Sequence, residues 1–252
     1  MYNCFYCYNC PYYYMCNTCK SYYDKDEYFQ YDLFRQDTNI KNTLPKNTEN
    51  TNDGKVLLEN QTINPQTFKI SYPFIDNPKQ DETKNIINNE IINTTLALFK
   101  DQVLIPEKID FAEIISFYEV PLNEKGLLSI LFGIYTYVNK AAHGFTKYAS
   151  LTIDLKSGKV YTFEDLFNPK FYYKPILDDL AKKYIMENNI PLINEYNGIR
   201  ENQEFYLTPN SLVIYYQVYE YTPYSHGLFK IEIPYEKIKT ILYPGSPIQR
   251  LL

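Results

Sequence analysis

Apolar residues begin to recur at regular intervals only from about Phe68. Phe68-Lys-Ile-Ser-Tyr72 alternates apolar and polar positions, as a half-buried strand does, and Pro73 ends the run. After a turn at Asp76-Asn77-Pro78, the residues Ile87, Ile91, Thr94 and Leu98 fall at helical spacing. They predict an amphipathic helix over 79–100. Two β-rich runs follow, Phe111–Val120 and Leu127–Val138. The connection Pro121-Leu-Asn-Glu-Lys-Gly126 sets a Pro and a Gly around a polar tip, which predicts a hairpin.

Tyr148–Asp154 reads as a further strand, and Lys156-Ser-Gly-Lys159 turns it into Val160-Tyr-Thr162 as a second hairpin. Thr162 and Asp165 stand at capping-box spacing before a short turn. A second helix over 175–189 places Ile176, Leu177, Leu180 and Tyr184 on one face, with Pro175 in its first turn. Strands at Glu204–Leu207, Ser211–Tyr219 and Phe229–Pro234 and a helical turn at Tyr235–Ile241 close the chain. Hairpins combined with two main amphipathic helices predict an α+β fold built on an antiparallel sheet.

The part before this pattern is different. Residues 1–34 form a Cys/Tyr-rich head, which carries all five Cys of the chain. Residues 35–65 are rich in Asn, Thr, Lys and Gln and too poor in apolar side chains to repay the entropy of ordering, so they read as a linker. Residues 66–252 are expected to form one compact unit.

Composition excludes several classes. An apolar fraction of 45% supplies a real core. A net charge of −5 with no Lys/Arg stripe argues against nucleic acid. No basic segment precedes an apolar core at the start, where the first lysine is Lys20, so no export signal is read. The longest apolar run, Leu127 to Tyr137, is too short for a spanning helix and reads as a buried strand. The expected compartment is therefore the cytoplasm or the interior of a sporulating cell. The 28 Tyr, alongside abundant Asn, Ile and Lys, match the codon bias of a low-GC bacterium, which lowers the functional weight of any single tyrosine.

Candidate chemistry is sparse. In the head, Cys7-x2-Cys10 and Cys16-x2-Cys19 have the two-residue spacing that turns a pair of thiolates onto one soft metal such as zinc. The short spacer between Cys10 and Cys16 and the odd Cys count leave disulfide cross-linking and an unstructured sticky tail as open alternatives. His143 and His226 each precede a glycine. They read as general bases or ligands near Asp154 or Glu220, or as polar residues at strand-ending turns. Ser225 and His226 are sequence neighbours, so on a strand they point to opposite faces. With eight Gly and no nucleophile elbow, HExxH or phosphate loop, no catalytic residue is assigned. Alternation would put Tyr215, Tyr219 and Tyr221 on one face of their strand and Tyr216 on the other. Part of this aromatic set, with the Tyr221–Gly227 loop and Tyr224, is a candidate contact surface.

An ordered string of motifs carries a family resemblance. Ala141-Ala-His-Gly144, Ser150-Leu-Thr-Ile-Asp-Leu-Lys-Ser-Gly-Lys159, Phe163-Glu-Asp-Leu-Phe167 and Tyr219-Glu-Tyr-Thr-Pro-Tyr-Ser-His-Gly227 resemble the C-terminal domain family of the lysozyme-sensing anti-sigma factor RsiV. That family also occurs as a non-catalytic region of a peptidoglycan deacetylase. Residues 66–140 resemble its usual companion domain and 141–252 the domain itself. The resemblance implies an α+β fold, no intrinsic catalysis, and a partner that is a lysozyme-like protein or peptidoglycan. It also implies an extracytoplasmic habit, against the compartment read from the N-terminus. On this reading the partner-binding residues are His143, Tyr219, Tyr221, Tyr224 and His226, on loops near 139–146 and 220–228. The alternative is a structural, spore-coat-type protein cross-linked through its head, and a hydrolase is a third reading.

Overall fold

The computed structural model describes residues 60–77 and 79–252. The head, with Cys7, Cys10, Cys16 and Cys19, lies outside the described residues, as does most of the linker. Within Ile63–Leu252, which forms one compact unit, the first elements are β1 (Thr67–Lys69), α1 (Glu82–Val103), β2 (Phe111–Glu124), β3 (Leu127–Val138) and β4 (Phe145–Asp154). The strands form a sheet in the order β1-β2-β3-β4. β2, β3 and β4 are an antiparallel meander, whereas β1 runs parallel to β2. A parallel pair needs a long crossover, and α1 supplies it.

Period-2 patterning in β3 places this sheet between two cores. Leu128, Ile130, Phe132 and Ile134 pack with Ile87, Ile91 and Leu98 of α1. Leu131 faces the other way and joins Tyr206, Val213 and Tyr215. Asp81 caps α1 by accepting from the Lys84 N–H. The buried Asn88 amide pairs with both backbone groups of Ile75, at 2.8 Å each, and fastens the segment before the helix.

After a 3₁₀ turn at Glu164–Leu166 come α2 (Lys174–Glu187), β5 (Phe205–Leu207), β6 (Ser211–Tyr216), β7 (Phe229–Pro234) and the short α3 (Tyr235–Ile238). β5, β6 and β7 form an antiparallel sheet in that order. Leu212, Ile214 and Tyr216 join α2 and β7 in the larger core, while Val213 and Tyr215 point toward β3. Buried hydroxyls join the two sheets. Ser129 Oγ accepts from the Leu207 N–H at 3.1 Å and pairs with Thr152 at 2.8 Å. Tyr215 OH donates to Ser150 Oγ at 3.0 Å, and Ser150 Oγ donates to Phe205 O at 2.5 Å. The fold is α+β with predominantly antiparallel sheets.

Several boundaries differ from the sequence reading. β1 stops at Lys69 because both backbone groups of Ser71 turn to the Ser116 hydroxyl, at 2.7 and 2.9 Å, instead of to a ladder. β2 continues past Pro121, which sits in a register irregularity between Glu119 and Leu122 and so has no ladder donor to forfeit. The connection to β3 shrinks to Lys125-Gly126, both at positive φ (50° and 73°), the backbone of a two-residue hairpin. Thr95 rather than Thr94 is buried in α1, its hydroxyl donating to Ile91 O at 2.9 Å. The buried face of α2 is Leu177, Ala181 and Ile185, with Ile176 exposed. Val160 makes only an isolated bridge to Ile153. β6 ends at Tyr216, short of Tyr219.

Candidate binding site

Two loops meet at one end of the first sheet. The connection from β3 to β4 is folded by Lys140 at φ 66° and held by Tyr137 OH donating to Ala141 O at 3.1 Å. This brings His143 to the surface edge. The second loop follows β6. Its first turn is closed by the Glu220 N–H donating to Gln217 O (3.0 Å) and the Gln217 N–H donating to the Glu220 carboxylate (3.2 Å). Arg200 pairs with Glu220 at 3.0 Å and with Glu204 at 3.3 Å, which ties the turn to β5. Within that turn Tyr219 is held at φ 69°, an uncommon conformation for a bulky residue.

The outcome is an aromatic stack. His143 and Tyr224 lie ring on ring at 4.5 Å and 22°, and Tyr219 and Tyr224 at 5.8 Å and 29°. His143 Nε2 and the Tyr219 hydroxyl are 3.1 Å apart, while His143 Nδ1 faces Gly144 O at 2.8 Å. A carbonyl only accepts, so Nδ1 carries the proton, and in the neutral ring Nε2 accepts from the Tyr219 O–H. All three rings are half-exposed.

Further aromatic side chains border the stack on the sheet face opposite α1. The Tyr135 ring covers Gly144, and the Phe117 ring covers Gly133, so closely that neither glycine has room for a Cβ. Phe117 packs edge-on against Tyr148 at 6.0 Å. Burial raises the Tyr135 and Tyr148 phenols. Glu113 and Tyr224 add to the first shift, and Glu119 and Tyr224 to the second.

The sequence candidates thus separate. His143, Tyr219 and Tyr224 come together. Tyr221 does not: it is buried between Tyr196, Tyr216 and Phe229, because the chain turns back on itself after β6 ends. His226 is exposed in a 3₁₀ turn, with its ring edge-on to Phe229 at 6.2 Å. Sequence reasoning missed Tyr135, Tyr148 and Phe117. Alternation from Leu131 puts Tyr135 on the face away from α1, a signal that could have found it. Phe117 and Tyr148 share that face because both stand opposite Gly133, a register that only the structure supplies.

Asp154 is fully engaged elsewhere. It accepts from the Lys156 N–H and from the Ser157 N–H and hydroxyl, all within 2.9 Å, and it forms an ion pair with Arg250. Burial alone would raise its pKa. The Arg250 and Ser157 hydrogen bonds outweigh burial and hold it at about 2. A separate open cleft of about 370 Å³ is lined by Ser150, Thr162, Glu164, Glu201, Glu204 and Tyr215 among others. Burial raises the Glu204 carboxyl, an effect opposed by Arg200 and Gln217. Three carboxylates make this cleft unfavourable for an anion. Among the described residues no group of three or more His, Cys, Asp or Glu is placed to hold a metal ion. Nor is any described helix long and apolar enough to cross a membrane.

The segment from Glu164 to Glu236 spans α2, the whole second sheet and the Tyr219–His226 loop. Residues 164–236 match the family described as protein of unknown function DUF3298. Among solved structures, the chain is similar to a DUF3298 family member from Bacteroides fragilis NCTC 9343, at 22% identity with a TM-score of 0.46, covering 70% of this chain and 74% of that one. It is also similar to a DUF3298 family protein from Pseudomonas aeruginosa PAO1, at 19% identity and a TM-score of 0.46, covering 62% and 71%. No curated protein matches the chain.

Proposed function

We propose that this chain is a non-catalytic binding module that engages a lysozyme-like protein or peptidoglycan through the His143–Tyr219–Tyr224 stack. The observation that carries the reading is Tyr219. A bulky residue is kept at φ 69°, where its ring faces Tyr224 and its hydroxyl meets His143. Backbone strain of this kind costs about 1–3 kcal/mol and concentrates at contact sites. Half-exposed tyrosines combine a large apolar face with a polar tip, and here both loops are fixed by a β-scaffold, as binding loops are.

Catalysis is not part of this proposal. Both ring nitrogens of His143 face partners within the fold, and Asp154 is committed to a turn and to Arg250. Co-sedimentation of the full chain with insoluble peptidoglycan, and analytical ultracentrifugation with an animal-type lysozyme, test the reading. Association with one of them, weakened in Tyr224→Ala, supports it; failure to associate with either overturns it.

A further inference from the structure

Asn197 is the only asparagine of the chain that is followed by glycine. It lies in the irregular segment between α2 and β5, and its side chain is exposed. The asparagines nearby are tied down: Asn188 Nδ2 donates to Tyr184 O at 2.9 Å and Asn194 Nδ2 to Glu220 O at 2.7 Å. Among the described residues, neither the Asn197 side-chain amide nor the Gly198 N–H has a hydrogen-bond partner. Gly198 carries no Cβ to shield its nitrogen, and it sits at φ 90°. An uncommitted electrophile on an exposed side chain and an uncommitted backbone nucleophile, on a buried residue that carries no Cβ, are therefore adjacent along the backbone.

We propose that Asn197-Gly198 is a site of spontaneous deamidation in the folded protein, independent of the binding reading above. The Gly198 nitrogen, losing its proton to water or hydroxide, attacks the Asn197 side-chain carbonyl carbon. A new C–N bond closes a five-membered succinimide, the bond to Nδ2 breaks, and ammonia leaves. Water then opens the succinimide at either carbonyl, giving aspartate or isoaspartate. Neither product is neutral here. Asn197 N–H donates to Tyr221 OH at 3.4 Å, and Gly198 O accepts from Tyr216 OH at 3.3 Å. The next residue, Ile199, donates its N–H to Asp178 Oδ1 at 2.7 Å. An isoaspartyl linkage inserts a methylene into the main chain between these anchors, so at least one of them must break. The added carboxylate also arrives close to Asp178, whose side chain packs against Gly198. The modification therefore loosens the tyrosine packing from which the Tyr221–Gly227 loop springs.

The test is to incubate the full folded chain at mildly alkaline pH and follow isoaspartate by methyltransferase labelling and peptide mapping. A urea-unfolded sample and an Asn197→Gln variant run in parallel. The longer glutamine side chain would have to close a six-membered ring, which is slow, and the exposed position tolerates the change. The expected result is that isoaspartate accumulates at position 197 of the folded chain, well above Asn188 and Asn194, and that the label is lost in Asn197→Gln. Accumulation at 197 only in the unfolded sample, or labelling undiminished in Asn197→Gln, would overturn the proposal.

Discussion

The side chain of Gln217 pairs with the backbone of Tyr148 as a neighbouring strand would: Tyr148 N–H donates to Oε1 at 3.0 Å, and Nε2 donates to Tyr148 O at 2.9 Å. The same Nε2 also donates to the Glu204 carboxylate at 2.8 Å. One amide therefore closes the free edge of β4 and links it to β5 and to the turn that carries Tyr219. Leaving backbone groups unpaired in a partly buried setting is costly. Gln217→Leu should lower stability by about 2 kcal/mol in urea denaturation and speed hydrogen exchange at the Tyr148 amide. An unchanged unfolding midpoint would argue against the bridge.

Asp154 predicts an acid-dependent loss of stability. Its carboxyl is lowered from 3.8 to about 2 on folding, so the ionised form is favoured in the folded state. The resulting stabilisation is complete above the unfolded value and disappears as pH falls through the folded one. Between about pH 5 and about pH 2 the native chain should lose ~2 kcal/mol more than Asp154→Asn, read from denaturation at each pH. Glu204 has the opposite sign: its pKa is raised, so it favours the folded state toward lower pH and offsets part of the loss. Parallel pH profiles for native and variant chains would count against the Arg250–Asp154 pair as a stabilising latch.

Much of this scaffold was legible in the sequence, because a strand buried on both faces, as β3 is, reads as a near-continuous apolar run. The β-rich runs of β2 and β3 and the hairpin signals around them located the first strands, and the α+β class followed from them together with two helical spacings. The site was only half legible. His143 and Tyr219 are 76 residues apart, and nothing in either loop alone announces their contact. Tyr221 was misplaced for a definite reason. Period-2 reasoning was carried beyond Tyr216, where the ladder ends and a turn with a left-handed residue reverses the chain. The parallel placement of β1 was also hidden, since three exposed residues carry no pattern that fixes direction.

Tyr219 should separate stability from binding. Asparagine accepts left-handed backbone more readily than tyrosine does. Tyr219→Asn relieves strain while losing the stack, so stability should stay within about 1 kcal/mol of the native chain. Affinity for the partner should fall by about tenfold or more, as expected for an aromatic anchor that the partner covers. A large fall in melting temperature with affinity intact would reverse the assignment and make Tyr219 a structural residue.

Phe117 and Gly133 form a cross-strand pair in which the ring occupies the place of a side chain on the glycine. Gly133→Ala should therefore displace the ring and cost about 1–3 kcal/mol. In the double variant Gly133→Ala/Phe117→Ala the alanine no longer meets the ring, so the combined loss should be smaller than the sum of the two single losses. Strict additivity in a denaturation cycle would mean that the ring and the glycine do not depend on each other.

The central claim is that partner contact runs through the His143–Tyr219–Tyr224 stack and involves no chemistry on the partner. Calorimetric titration of the full chain and of Tyr224→Ala, with an animal-type lysozyme and with soluble peptidoglycan fragments, addresses it directly. The account predicts saturable binding of one of them by the native chain, an affinity lowered by about tenfold or more in Tyr224→Ala, and a titrant recovered chemically unchanged. Equal affinities for the native chain and the variant, no heat with either titrant, or conversion of the titrant would contradict it.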